Sequence, residues 1–181
     1  RHVADEASLR RRDEPYTRAI TRSGRRGEWR RAIALLDALE RRHAIVSVRA
    51  GTAALVACDR AGCGRGLGGA PRWAEAQEIL GRRSFEPDAF TYTTALRCLG
   101  RASRPDDVAA LFAEAVERGL ADDARVRDAA AVALARSGRF AEARAVLTEG
   151  TAGLGASGRR RTAWLRRSRR RFDALSEEAF P

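Results

Sequence analysis

Methionine and lysine are both absent from this chain, and histidine occurs only as His2 and His43. Without an initiator Met the sequence reads as a processed or partial product, from which any targeting peptide is already missing. Every basic residue is Arg, whose planar multi-donor guanidinium suits phosphates and base edges. A GC-rich genome gives the same bias, along with the wealth of Ala and Gly, so the bias by itself assigns nothing. Cysteine is scarce too. Cys58, Cys63 and Cys98 form no disulfide framework and no C-x-x-C spacing, which excludes the common metal sites. Cys58 and Cys98 read as small packing residues in a reducing compartment. Long apolar runs are missing as well: even AAAVALA, Ala129 to Ala135, is cut by Arg136 and falls far short of a membrane span. Catalytic constellations have little to work with. His43 lies at the end of a helical pattern rather than in a cluster, and neither H-x-E with C-x-x-C nor a nucleophile elbow occurs. The expectation is a protein that is not an enzyme and holds no cofactor and no metal.

What is present is charge and periodicity. Arg outnumbers acids 35 to 24, for a net charge of +11, and apolar residues make up 44% of the chain, enough for one domain with a shallow continuous core. The charge is uneven. Arg159, Arg160, Arg161, Arg166, Arg167, Arg169, Arg170 and Arg171 crowd one acid-free segment, and setting these eight aside leaves a net charge of only +3. Most of the pull on a polyanion is therefore expected from that segment.

The periodicity centres on Ala89 to Asp123. Ala95, Leu96 and Leu99 mark one amphipathic helix from about Phe90 to Ala102, and Val108, Leu111, Phe112, Ala115 and Val116 mark a second. Between them Ser103-Arg104-Pro105 is a break, with Pro105 suited to a first helical turn and Gly119 to a left-handed stop. The same pattern fits 13–47, with Tyr16-Thr17 in register with Tyr92-Thr93, and again 124–158. Residues 48–88 repeat it with a loop, 63–71, pushed into the middle. Within that loop Gly64, Gly66 and Gly69 spell G-x-G-x-x-G, but a helix precedes them where a dinucleotide site needs a strand, so they read as an insertion. Residues 1–12 read as a leader or the remnant of an earlier helix. Four two-helix units at this period predict an all-α fold, an α-solenoid of stacked antiparallel hairpins. Gly150 to Gly158 is too rich in Gly to continue a helix. In 159–181 Trp164, Leu165, Phe172 and Leu175 share one side of a basic helix, which either caps the solenoid or clamps phosphates.

These residues resemble the pentatricopeptide repeat family. EPDAF followed by TYTTALRCLGRASRPDDVAALFAEAVERGL carries the likeness. Tyr16 and Tyr92 match the family's Tyr near the start of helix A. Gly27, Gly62 and Gly138 match its Gly between helices, where the third unit has Ser103. Ala32, Ala76 and Ala143 match the Ala of helix B, and Glu86-Pro87-Asp88 the exit. The likeness covers about 13–158 and implies a short P-type-like array of about four repeats, of an algal or protist kind, acting in a chloroplast or mitochondrion.

The resemblance also implies where a base would be read. Each unit would face one base of a single RNA strand, through the residue after the Tyr position and the last residue of the unit. Carried across, these are Thr17 with Ser47, Thr52 with Asp88, Thr93 with Asp123, and Asp128 with Gly158. Thr with Asp implies guanine, Thr with Ser a purine, and Asp with Gly no known base. The second residue of each unit would stack on the base, and among Glu14, Arg49, Phe90 and Arg125 only Phe90 offers an apolar face. Residue chemistry alone gives another reading, with Thr at helix starts and Asp88 and Asp123 as N-terminal caps. Two or three read bases supply roughly 3–8 kcal/mol before ordering costs, so millimolar to micromolar affinity. The leading expectation is single-stranded RNA binding in organellar RNA metabolism (stability, processing or translation). The alternative is a structural or adaptor subunit of an organellar complex, a ribosome or an energy-converting assembly, with the solenoid docking protein.

Overall fold

The computed structural model describes residues 5–61 and 72–149. Gly62, the inserted loop 63–71 with Gly64, Gly66 and Gly69, Gly158, and the basic segment 159–181 with its eight Arg lie outside the described residues, so the phosphate-binding expectation for that segment stays as sequence reading.

Among the described residues, eight α-helices follow one another: α1 (Glu6–Arg25), α2 (Trp29–Arg42), α3 (Val48–Ala61), α4 (Trp73–Leu80), α5 (Ala89–Arg101), α6 (Pro105–Glu117), α7 (Ala124–Arg136) and α8 (Phe140–Glu149), with a 3-10 turn at Leu120–Asp122. Each even-numbered helix folds back on the odd-numbered helix before it, and the odd-numbered helices pack side by side, α1 on α3, α3 on α5, α5 on α7. This is the all-α solenoid that the period predicts.

Local chemistry sets the boundaries. Asp88 opens α5 as a capping box, its carboxylate accepting from Thr91 N at 2.8 Å while Thr91 Oγ1 accepts from Asp88 N at 3.4 Å. Pro105 takes the first turn of α6, where its missing N–H costs nothing. The turns inside the hairpins need left-handed backbone: Gly27 has φ 76°, Gly138 has φ 77°, and Ser103, in the same place of the third unit, is held at φ 53°. Gly119, at φ 69°, ends the second hairpin helix of that unit.

The core lies between the two helix layers. Leu36, Leu55, Ile79, Leu96, Leu99 and Val108 are at most 1% exposed, each burial stabilising by about 1.5–3 kcal/mol. Tyr16 and Tyr92 tie the first and third hairpins together: Arg42 donates to Tyr16 Oη at 3.0 Å, and Tyr92 Oη donates to Glu114 Oε1 at 2.7 Å. The even-numbered layer is joined by Arg82, which donates to Asp37 at 2.7 Å and Glu40 at 2.6 Å. In the odd-numbered layer Gly100 meets Ala133 so closely that an added Cβ would stand 2.5 Å from the Ala133 Cβ, and Gly24 meets Ala57 in the same way at 2.9 Å.

The first helix differs from the reading of 1–12 as a leader or remnant. Glu6 to Arg12 are the opening turns of α1 itself. Leu9 is buried and Arg12 donates to Ile45 O at 2.7 Å, so these turns pack on the first hairpin. Pro15 lies inside α1, where it removes one backbone donor without ending the helix.

Candidate nucleic-acid interface

The odd-numbered helices present one continuous face, and the sequence-predicted readers sit near the start of each helix. Thr17, Thr52 and Thr93 each donate their hydroxyl proton one turn back, to Asp13 O at 3.0 Å, Val48 O at 2.8 Å and Ala89 O at 2.7 Å. What remains on each oxygen is acceptor capacity. They are shielded, at 6%, 5% and 2% exposure.

Their partners differ from unit to unit. Ser47 is fully buried: its N–H donates to Asp13 Oδ2 at 2.7 Å, and its Oγ accepts from Ala50 N at 3.4 Å. It serves as a helix cap with no surface for a base. Asp88 is exposed, and its bonds from Thr91 N and Thr91 Oγ1, both 2.8 Å, fall on Oδ1. Thr91 Oγ1 in turn lies 2.8 Å from Thr52 Oγ1, and either hydroxyl can donate across that contact in place of its own bond to Val48 O or Asp88 Oδ1. Between Thr52 and Asp88 therefore stands Thr91, a residue that register alone does not single out. Asp123 caps α7, accepting from Arg125 N at 2.9 Å, and the Arg125 guanidinium holds both its oxygens, with Nε 3.1 Å from Oδ1 and Nη2 2.6 Å from Oδ2. Those Arg125 hydrogen bonds hold the Asp123 carboxyl below its ordinary range. Asp128 is half-buried in α7, and its sequence partner Gly158 lies outside the described residues.

Among the described residues, a groove of about 320 Å³ beside Thr17 and two larger ones run along this face. One, of about 360 Å³, is lined by Thr17, Thr21, Arg49, Thr52, Asp88 and Phe90 among others. The other, of about 590 Å³, crosses α3, α5 and α7 and is lined by Phe90, Thr94, Arg97, Asp128, Val132 and Arg136 among others. Phe90 belongs to both and is 49% exposed, so its ring divides them. Ser47, Thr93 and Asp123 line neither.

The near-neutral charge of the repeat body conceals a row of cations here. Arg25, Arg60, Arg101 and Arg136 occupy the same register at the ends of α1, α3, α5 and α7. Cations at helix C-termini are stabilised by the helix dipole. Arg25, Arg60 and Arg136 are exposed and line the grooves, joined there by Arg49 and Arg97. Arg101 instead pairs with Asp59, whose carboxyl burial raises. A total over both faces hides this row; counting Arg by register in the sequence finds it.

Among the described residues, the two cysteines present no thiol to this face. Cys58 and Cys98 are fully buried, and burial pushes each thiol up to about 12. Among the described residues no group of His, Cys, Asp or Glu is placed to hold a metal, and no helix is long and apolar enough to cross a membrane.

Compared with known families, residues 90–120 match the model of the PPR repeat, the stretch spanning α5, α6 and the approach to the 3-10 turn. No curated protein matches the chain. The matched unit is one of four stacked hairpins with shared register among the described residues, and over 90–120 the chain is similar to a PPR repeat, the unit of a family of helical-repeat proteins that bind RNA.

Proposed function

We propose that this protein binds single-stranded RNA along the face of its odd-numbered helices and acts, without catalysis, in the RNA metabolism of an organelle. The observation that carries the reading is Phe90: a half-exposed aromatic ring between two grooves, with Thr52 and Asp88 in the same groove and exposed Arg on both sides. An aromatic face stacks on any base, the acceptor oxygens of Thr52 and Asp88 suit the N1–H and amino edge of guanine, and the Arg row suits phosphates. The basic segment 159–171 adds phosphate affinity in this reading.

Fluorescence anisotropy of the full chain with short RNAs containing A-G-G or C-U-U, at low and near-physiological salt, tests it. A-G-G should bind more tightly, and Phe90→Ala should weaken it roughly 5- to 100-fold, the value of one stacked base. Replacing Arg25, Arg60 and Arg136 by Ala should flatten the salt dependence by about one unit of slope for each phosphate left without its cation. Equal affinity for both RNAs that collapses with salt would remove base reading. No binding to either would favour the adaptor reading, in which the solenoid docks protein.

A further inference from the structure

The two Thr–Asp pairs are alike in sequence and unlike in structure. Phe90, which follows Asp88, has an apolar ring that makes no claim on the carboxylate. Arg125, in the same register after Asp123, folds its guanidinium back on the carboxylate through Nε and Nη2 and adds its backbone N–H, so both Asp123 oxygens are engaged. We propose that Arg125 withdraws Asp123 from base reading, so that the third repeat unit is blind to guanine and Thr52 with Asp88 alone confers guanine selectivity. The inference rests on the RNA-binding reading above.

Three observations carry it. A bidentate guanidinium–carboxylate fork is stronger than a single surface ion pair, and here donor and acceptor are two residues apart at one helix start, with the Asp123 carboxylate largely shielded and the Arg125 side chain exposed. Guanine presents N1–H and an amino group, both donors, and must find acceptors. Asp123 meets the same need of Arg125, and the guanidinium that remains facing outward is itself only a donor. Thr93 completes the picture: 2% exposed and lining neither groove, it has little surface left to compensate.

The test uses the full chain and four RNAs, A-G-G, A-G-U, A-U-G and C-U-U, in competition anisotropy at low salt. In the native protein, exchanging the middle guanine should weaken binding about tenfold, while exchanging the third should change it by less than about twofold. In Arg125→Val, which keeps the backbone cap from Asp123 to residue 125, the third exchange should cost roughly as much as the middle one. Arg125→Lys, with no fork, should move partway. A native protein that loses about tenfold on the third exchange, with no change in Arg125→Val, would overturn the proposal while leaving the RNA-binding reading standing. Failure to bind any of the four RNAs would overturn both.

Discussion

At the scale of single residues, the most consequential side chain is Asp13. Its carboxylate has no exposed surface, accepts the Ser47 N–H at 2.7 Å and pairs with Arg12 Nε at 2.8 Å. It therefore fastens the start of the first unit to the start of the second. Removing it strands a buried backbone donor, the Ser47 N–H, while Arg12 stays exposed and keeps its bond to Ile45 O. Asp13→Ala should destabilise the fold by about 1–3 kcal/mol, lowering Tm by roughly 3–10 °C in a calorimetric scan. Asp13→Asn keeps an acceptor for Ser47 and should cost less. An unchanged Tm in Asp13→Ala would mean that the link is idle. None of this was legible from register: Asp13 reads as the polar first residue of a unit, and Ser47 as a base reader. Only the packing of α1 against the start of α3 shows that each satisfies the other.

The helices and turns were much more legible, because their signals are local. Pro105, Gly119 and the apolar spacing of Val108, Leu111 and Ala115 place α6 and its ends without tertiary information. The start of α1 was not legible. Pro15 resembles a first-turn proline, and only the burial of Leu9 and the Arg12 bond to Ile45 O extend the helix back to Glu6. Ser103 was legible in place and not in cost. It stands where the first and fourth units have Gly, and its φ of 53° carries the penalty that a side chain incurs in left-handed backbone. Ser103→Gly should stabilise the protein by about 0.5–1 kcal/mol after allowing for the freer unfolded chain. Urea melts of the two proteins decide it, and a lower midpoint for the glycine variant would show that the Ser103 side chain contributes more than its backbone costs.

Across the whole molecule, what sequence could not rank was the equivalence of the units. Thr52–Asp88 and Thr93–Asp123 are identical as letters, yet one carboxylate is exposed beside an aromatic ring and the other is gripped by Arg125. The distinction depends on which residue follows, and on a side-chain conformation that periodicity does not encode. The Arg row is the opposite case, written in register but erased by a net charge.

The seams between the odd-numbered helices are unequal as well. Gly24 lets α1 and α3 touch at Ala57, and Gly100 does the same for α5 and α7 at Ala133. At the seam between them the corresponding residue is Asp59, held to Arg101, and α3 and α5 meet less closely than either neighbouring pair. Under a pulling force this array is two stiff springs in series with a softer coupling. Stretched from its ends in an optical trap, the chain should yield first between α3 and α5 and lengthen in two steps. A single rip would mean that load is shared evenly along its length.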